Sequence, residues 1–577
     1  MTPEEVLHIY FKYPAFRPLQ EQIIRSVLEG NDTLALLPTG GGKSICFQVP
    51  TLVKNDILCL VVTPLIALMK DQVEHLLRRG IRSAAIYTGM SREAQQIALD
   101  NCQYGPYRFL YVSPERLESE AFRRRLTYLP IGLIAVDEAH CISQWGYDFR
   151  PSYLRIGELR DELEQTFGHI PVLALTATAT PEVAKDIQKQ LHFARPNVMQ
   201  QSLSRENLRY VVRYCRPDRP TAKDDGSLMT KNEQLQYILE RIKGSAIVYV
   251  RNRKKAVEIA QLLGADFYHA GLDTYERERR QKRWQQSQSV MVCTNAFGMG
   301  IDKPDVRVVI HYDLPDSLEA YSQEAGRAGR DGKTAYAVLL YSRDDRTKMK
   351  KRQYDNFPAK EFVEEVYNKV CDYLVVGLES GEGHAFALHL DDVCRIMHLP
   401  LLPTYSALHL LDMAGYIIFQ EEQETQPRIK LLVPASELGA YTLSPEQRTL
   451  ITKLMRTYPG VFTDLQYLHE EITENMHALL VELAKRHIMT YIPRTRACMF
   501  AFRQDRQRDV YIPKAFYEER LDRYVHRLRT MLAYAEQQTM CRQQFLLQYF
   551  GEKNTSQPCG RCDVCHRKQQ NYNQFVP

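Results

Sequence analysis

Nothing in the sequence approaches the ~18 consecutive apolar residues that a membrane-spanning helix requires, so an integral helical membrane protein is excluded. The N-terminal stretch includes Glu4, Glu5 and His8 where a secretory leader would be basic and then apolar; a cytoplasmic, nucleoid-associated chain with no membrane partner is expected. Low-complexity segments and strong internal repeats are also missing, which argues against fibrous, disordered and solenoid classes. Charge of one sign is scarce: 75 Lys and Arg against 70 Asp and Glu leave a net of +5, too little to indicate a polyanionic partner by itself. The 13 cysteines form no framework of paired spacings. Cys541, Cys559, Cys562 and Cys565 crowd near the C-terminus and the others stand singly in apolar surroundings, so reduced core thiols plus one metal site are expected in place of disulfides. What is present is ordinary, with 44% hydrophobic and 25% charged residues over 577 positions, enough for about three to five globular domains.

Short β-rich apolar runs at 33–37, 58–62, 109–112, 133–136 and 172–175 alternate with longer amphipathic stretches, which predicts βαβ units around a parallel sheet. The pattern repeats at 246–250, 290–293, 306–311 and 335–341. Two tandem α/β domains follow, 1–205 and 206–345, joined near 204–220. A charged stretch at 343–353 ends that texture. Helices are predicted at 361–375, 390–397 and 405–414, then a β-hairpin of 416–420 and 428–433 around 421–427. Three helices and a wing make a winged-helix-like arrangement within a mostly helical region, 346–505, and 444–491 echoes it weakly. Residues 506–577 are expected to hold a helix or helical pair over 520–549, the cysteine cluster and a frayed tail.

Chemistry concentrates at three places in the α/β part. The first is Pro38-Thr39-Gly40-Gly41-Gly42-Lys43-Ser44, between a strand and a helix. Its glycines let backbone N–H groups close on phosphate oxygens, Lys43 neutralises β and γ phosphates, and the Ser44 hydroxyl completes a Mg²⁺ shell. Leu37 stands where the strict P-loop pattern has its first glycine, and a ligand-free glycine turn is the alternative. The second is Asp137-Glu138-Ala139-His140 at the end of an apolar strand, which places an acidic pair beside a P-loop in a doubly wound sheet. Asp137 is expected to hold Mg²⁺, Glu138 to direct the attacking water, and His140 to couple the site to neighbouring loops. The third is the run 323–330, with Arg327 and Arg330 on one face of a helical turn as candidate charge stabilisers reaching across a domain cleft; a solvated basic helix is the alternative. Together they predict a nucleoside triphosphatase.

At the C-terminal end, Cys559, Cys562 and Cys565 have C-x₂-C-x₂-C spacing, with Cys541 upstream on an expected helix. Four thiolates so spaced make a closed, structural Zn²⁺ site. An Fe–S cluster is the chemical alternative, and His566 is a weaker candidate for fourth ligand.

These elements, with Phe16-Arg17-Pro18-Leu19-Gln20, the runs 62–72 and 175–180 and the segment 294–304, resemble superfamily 2 helicases and specifically the RecQ family of DNA helicases. The resemblance covers about 10–341 and extends to the cysteine module. It implies two RecA-like domains, with Tyr13 and Arg17 sandwiching adenine and Gln20 bonding its edge, which selects ATP. Arg330 is the first choice for the arginine finger and Arg327 the second. The segment 141–151 looks like the family's aromatic-rich loop that couples DNA binding to hydrolysis. It offers Gln144, Trp145, Phe149 and Arg150, with Gly146 as a hinge and Tyr147 where the family more often has His; stacking faces and a phosphate contact suit single strands. A buried aromatic cluster is the alternative. Thr63, Lys70, Thr88, Gly89, Arg251, Asn252, Thr294 and Asn295 are candidate backbone contacts.

The domain order departs from the family, because the winged-helix-like segment precedes the zinc module, so no strand-separating hairpin is carried over. No further nucleic-acid-binding domain is expected after Cys565. The expected activity is an ATP-dependent 3′–5′ DNA helicase acting in recombination or repair on single-stranded, forked or partly duplex DNA. A single-strand-binding protein or recombination proteins are further candidate partners. The alternatives are an ATP-driven translocase or remodeller without processive unwinding, acting on DNA or RNA, and a non-catalytic nucleic-acid scaffold.

Overall fold

A computed structural model describes residues 1–568 except 88, 144, 145, 147, 218–226, 299–302, 425, 426, 435, 459, 460, 463–465, 469–471, 487, 493–495 and 553–556. The chain divides into two compact units, Met1–Met349 with His526–Pro577, and Lys350–Val525. The second is therefore inserted into the first.

The first unit holds two parallel sheets. One has the order β3-β4-β2-β5-β6-β1-β7, built from β1 (Thr33–Leu36), β2 (Leu58–Val62), β3 (Ser83–Ile86), β4 (Phe109–Val112), β5 (Ile131–Val136), β6 (Val172–Thr176) and β7 (Val198–Gln200). Alternation along β2 explains its continuous apolar sequence. Leu58, Leu60 and Val62 enter the core on one face, and Cys59 and Val61 the core on the other, as a sheet covered by helices on both sides requires. A buried Arg160–Asp32 ion pair at 3.0 Å closes one end of this domain, and Asp32 also accepts from the Val172 and Ala194 amides. The donors fill its lone pairs, which is the condition for a buried charge to be tolerated.

The other sheet has the order β10-β11-β9-β12-β13-β8, from β8 (Leu208–Tyr214), β9 (Ser245–Tyr249), β10 (Asp266–Tyr268), β11 (Val290–Cys293), β12 (Val306–His311) and β13 (Ala335–Tyr341). The junction expected near 204–220 is shorter than that. Residues 208–214 are the strand paired in parallel with β13, Leu208 opposite Ala335 through Tyr214 opposite Tyr341, so only 201–207 connect the sheets.

In the second unit, helices Lys360–Tyr373, Leu390–Ile396 and Leu401–Met413 pack with β14 (Ala385–Leu388), β15 (Ile417–Glu424) and a strand from much later in the chain. The expected hairpin does not form. β15 pairs antiparallel with β19 (Arg496–Phe502), whereas β16 (Arg428–Leu431) pairs with β17 (Gln466–Tyr467) and β18 (Met489–Ile492) in a separate sheet. Burial selects these partners: Ile417 and Phe419 share a core with Phe500 and Phe502, while Ile429 and Leu431 share one with Leu454 and Leu480. The three helices pack on a three-stranded sheet of order β14-β19-β15, and a second subdomain with its own sheet and core interrupts the expected wing between β15 and β19. Residues 425 and 426 of the expected hairpin loop lie outside the described residues.

Helices Glu518–Glu536 and Arg542–Tyr549 are the expected helical pair leading to the cysteines. Among the described residues no helix is long and apolar enough to cross a membrane.

Candidate active site

The carboxyl ends of β1, β2, β5 and β6 meet where a doubly wound sheet places its ligands. Between β1 and helix Ile45–Val53 the chain closes a tight turn, with Gly41 N donating to the Pro38 carbonyl at 2.8 Å. Gly42 has φ +78°, a conformation that strains any residue with a side chain, and a Cβ there would lie 2.4 Å from Gln20 Nε2 and displace that amide. Ser44 opens the helix without using its hydroxyl as a cap. Tyr13, Arg17, Thr39, Gly40, Gly42, Lys43, Ser44, Asp137, Glu138, Arg327 and Arg330 all line one cleft of about 410 Å³. Gln20 sits behind the loop, donating to the Gly42 and Gly41 carbonyls at 2.9 and 3.3 Å, while Arg17 donates to the Gly40 carbonyl.

The acidic pair follows β5. Glu138 takes the left-handed conformation (φ +47°) and is only 8% exposed. Its Oε1 lies 3.7 Å from Lys43 Nζ and its Oε2 lies 3.4 Å from His140 Nδ1. Burial pushes its carboxyl up, but Lys43, His140 and Arg327 together outweigh burial and hold it below the usual glutamate range. Asp137 goes the other way: burial, then the Glu138 charge, raise it to about 6. Thr63 Oγ1 lies 3.5 Å from Asp137 Oδ2, and Tyr153 donates its hydroxyl to the Asp137 carbonyl at 3.1 Å. Thr63 is buried in this contact and lines the same cleft. His140 Nδ1 meets Thr176 Oγ1 at 2.9 Å, joining the acidic turn to the end of β6.

The arginine pair is not on a helix. Helix Leu318–Ala325 ends first, and residues 326–330 form turns that carry both side chains into the cleft. Arg327 is 4% exposed. The Arg330 side chain lies over the glycine loop, its Cδ 3.5 Å from where a Cβ on Gly40 would be. Two sheets thus contribute opposite walls of one site.

In the loop after the acidic turn, Gln144 and Trp145 lie outside the described residues. Phe149 and Arg150 are half-buried, and Arg150 pairs with Asp148 at 3.4 Å. A Cβ on Gly146 would stand 2.6 Å from the His140 carbonyl, so glycine there permits close packing of the loop on the acidic turn. Asn252 caps a helix by accepting from Lys255 N, and Arg251 pairs with Asp316. The densest basic helix, Thr274–Gln286, uses Arg279 and Arg280 on Glu276, the bland outcome of a charge run.

Cys541, Cys559, Cys562 and Cys565 bring their sulfurs within 4.8 Å of one another. Backbone amides of Cys559, Arg561 and Arg542 donate to Cys541, Cys559 and Cys562 at 3.3, 3.4 and 3.4 Å. Behind them Arg542 and Asp563 form a fully buried ion pair at 3.0 Å, and Asp563 accepts from Val212 N of β8 at 3.2 Å. Removing one partner of such a pair costs about 3–5 kcal/mol.

Tyr153, which no sequence pattern indicated, and Thr176 and Gln323, which lie in the runs 175–180 and 323–330 but were given no role of their own, also belong to the site or its support. So do Arg205 and Asn207 in the connector, which bond carbonyls of the arginine turn. Long-range backbone contacts of this kind leave no local pattern to read.

Three families match in chain order. DEAD/DEAH box helicase covers 17–187, Helicase conserved C-terminal domain 230–332, and RecQ zinc-binding 503–566. The chain is 43% identical over 350 residues to a probable ATP-dependent DNA helicase RecS of Bacillus subtilis, covering 59% of this chain and 67% of that protein. It is 42% identical over 352 residues to the ATP-dependent DNA helicase RecQ of Pasteurella multocida, covering 60% and 53%. Against the ATP-dependent DNA helicase RecQ of Synechocystis it is 40% identical over 352 residues, covering 59% and 70%. The match thus spans between about half and seven tenths of these relatives. With two parallel-sheet domains facing one cleft and a four-cysteine module behind them, the chain belongs to the RecQ helicase family.

Proposed function

We propose that the chain is an ATP-dependent DNA helicase that translocates 3′ to 5′ and unwinds duplex DNA in recombination or repair. One observation carries the reading: Lys43 and the acidic pair of the first sheet share a cleft with Arg327 and Arg330 of the second. The residues fit a magnesium–triphosphate. Glu138 Oε2 and Arg327 Nε are buried with no hydrogen-bond partner among the described residues, beside a loop whose Gly40 and Gly42 have positive φ. Ser44 and Asp137 would hold Mg²⁺, which would supply charge neutralisation and orientation of the phosphates.

Tyr13 and Arg17 flank the base, and Gln20 trades a loop carbonyl for the adenine edge. Lys43 holds the β and γ phosphates, Glu138 takes up the water proton, and Arg330 and Arg327 meet the charge that develops on the transferring phosphoryl group. Because the arginines come from the second domain (206–345) and the lysine from the first (1–205), hydrolysis requires closure, and alternate closing and opening steps the pair along one strand. Gln144, Trp145, Phe149 and Arg150 report DNA to the acidic turn.

The four thiols fit Zn²⁺ as a closed structural site. Metal analysis of reduced protein is expected to return about one zinc per chain, and its chelation to lower the melting temperature of the module. Absence of zinc together with iron absorbance would instead identify an Fe–S centre.

The activity itself is tested on forked duplexes bearing a 3′ or a 5′ single-stranded tail. Unwinding is expected with the 3′ tail and ATP. Robust single-strand-stimulated hydrolysis with no strand separation on either fork would make the chain a translocase or remodeller instead.

A further inference from the structure

The connector between the two sheets does more than join them. Arg205 donates to the Ala328 and Gly329 carbonyls at 3.1 and 2.8 Å and reaches the Gly326 carbonyl at 3.5 Å. Asn207 adds bonds to the Gly329 and Lys333 carbonyls at 2.7 and 2.8 Å. The Gly326, Ala328 and Gly329 carbonyls belong to the turn that carries Arg327 and Arg330, and the turn has left the helical ladder, so its carbonyls need donors from elsewhere. A planar guanidinium can serve several acceptors at once with a fixed spacing, which an ammonium cannot.

The connector is itself gripped from the cysteine module. Glu552 accepts from Ser202 Oγ and from Leu203 N, both at 2.7 Å, and Gln543 bonds Ser204. Gly551 lies against Pro181 of the first domain, a Cβ there falling 2.5 Å from the proline ring. The contacts form one chain: cysteine module to connector, connector to arginine turn, arginine turn to cleft.

We propose that Arg205 is a positioning residue for hydrolysis. It fixes the arginine turn relative to the connector, and Glu552 fixes the connector, so the cysteine module sets where the two arginines stand when the cleft closes. Among the described residues the hydrogen bonds of Arg205 go to Asn207 and to carbonyls of the arginine turn, so its loss is expected in turnover and not in nucleotide affinity. The inference rests on the reading of the cleft as an ATPase site.

The experiment is DNA-stimulated ATP turnover of the full chain, comparing Arg205→Lys, Glu552→Ala and Glu552→Gln with wild type. A misplacement of about 1 Å can cost roughly 10²-fold in rate. Arg205→Lys keeps the charge but loses the fork, and is expected to lower kcat by about ten- to a hundredfold with KM for ATP within twofold. Glu552→Ala is expected to move kcat in the same direction with zinc content unchanged, and Glu552→Gln, which keeps an acceptor oxygen, to restore most of it. Wild-type kcat in Arg205→Lys, or a rise in KM alone, overturns the proposal. If Arg205→Lys does not fold, the Glu552 pair decides: equal kcat in Ala and Gln variants overturns it. A wild-type chain with no DNA-stimulated turnover would defeat the ATPase reading itself, a result separate from these.

Discussion

Replacing Glu138 by Gln is expected to leave ATP binding within a few fold of wild type and to lower hydrolysis by roughly 10²–10⁴-fold, the usual worth of a positioned general base. The substitution keeps side-chain length and one acceptor oxygen but removes the charge. That charge is favoured because the cations around it, Lys43 first, oppose the burial that disfavours it and hold the carboxyl below the usual glutamate range. A proton acceptor held below its usual range is a weaker base than a free glutamate, but it is reliably ionised, and it lies 3.7 Å from the lysine expected to hold the γ phosphate. Lys43 stays in place in the variant, so binding survives. Equilibrium binding of a fluorescent ATP analogue, paired with single-turnover hydrolysis, separates the two effects. Normal turnover in Glu138→Gln would remove this residue from the reaction.

The largest loss is expected from Arg330→Ala, about 10³–10⁵-fold in turnover, the range observed when an arginine that meets transferring phosphoryl charge is absent. Arg330 lies over Gly40 of the glycine loop, so the guanidinium approaches the phosphate cradle from the opposite domain. Arg327 is more deeply buried and its charge already bears on Glu138, so Arg327→Ala is expected to combine a smaller catalytic loss with a shift in Glu138 ionisation. Both variants should still bind ATP, because the lysine, the serine and the glycine loop all come from the first domain. Turnover within tenfold of wild type in Arg330→Ala would show that the cleft hydrolyses ATP without it, and the coupling of closure to hydrolysis would need another agent.

Local chemistry was legible in the sequence because it is local. The glycine turn, the acidic pair and the cysteine spacing each occupy a few consecutive residues, and the structure brings those residues together at the cleft and at the sulfur cluster. The alternating apolar runs gave nine of the sheet strands of the first unit, since a parallel strand buried on both faces is a short unbroken apolar run. Short or half-exposed strands escaped: Asp266–Tyr268 and Val198–Gln200 have too few residues for a period to appear.

Partner choice was not legible. β15 and β16 look like two arms of a hairpin because they are adjacent and apolar, and only the cores they enter, one with Phe500 and the other with Leu480, send them to different sheets. The arginine run has helical spacing, yet its glycines end the helix at Ala325 and the turn is held by Arg205 and Asn207 from more than a hundred positions away. Nothing near those two residues in sequence announces the contact.

The interrupted wing has a consequence for biosynthesis. β19 is the middle strand of β14-β19-β15, so its neighbours have no bonded partner between them until residues 496–502 leave the ribosome, after the entire intervening subdomain. A nascent chain therefore presents two unpaired strand edges during that interval, the kind of edge that recruits other chains. The inner subdomain, complete by residue 492, can mature first and bring the two ends of the wing together as it does so. Its folding then acts as an assembly step for the domain that surrounds it.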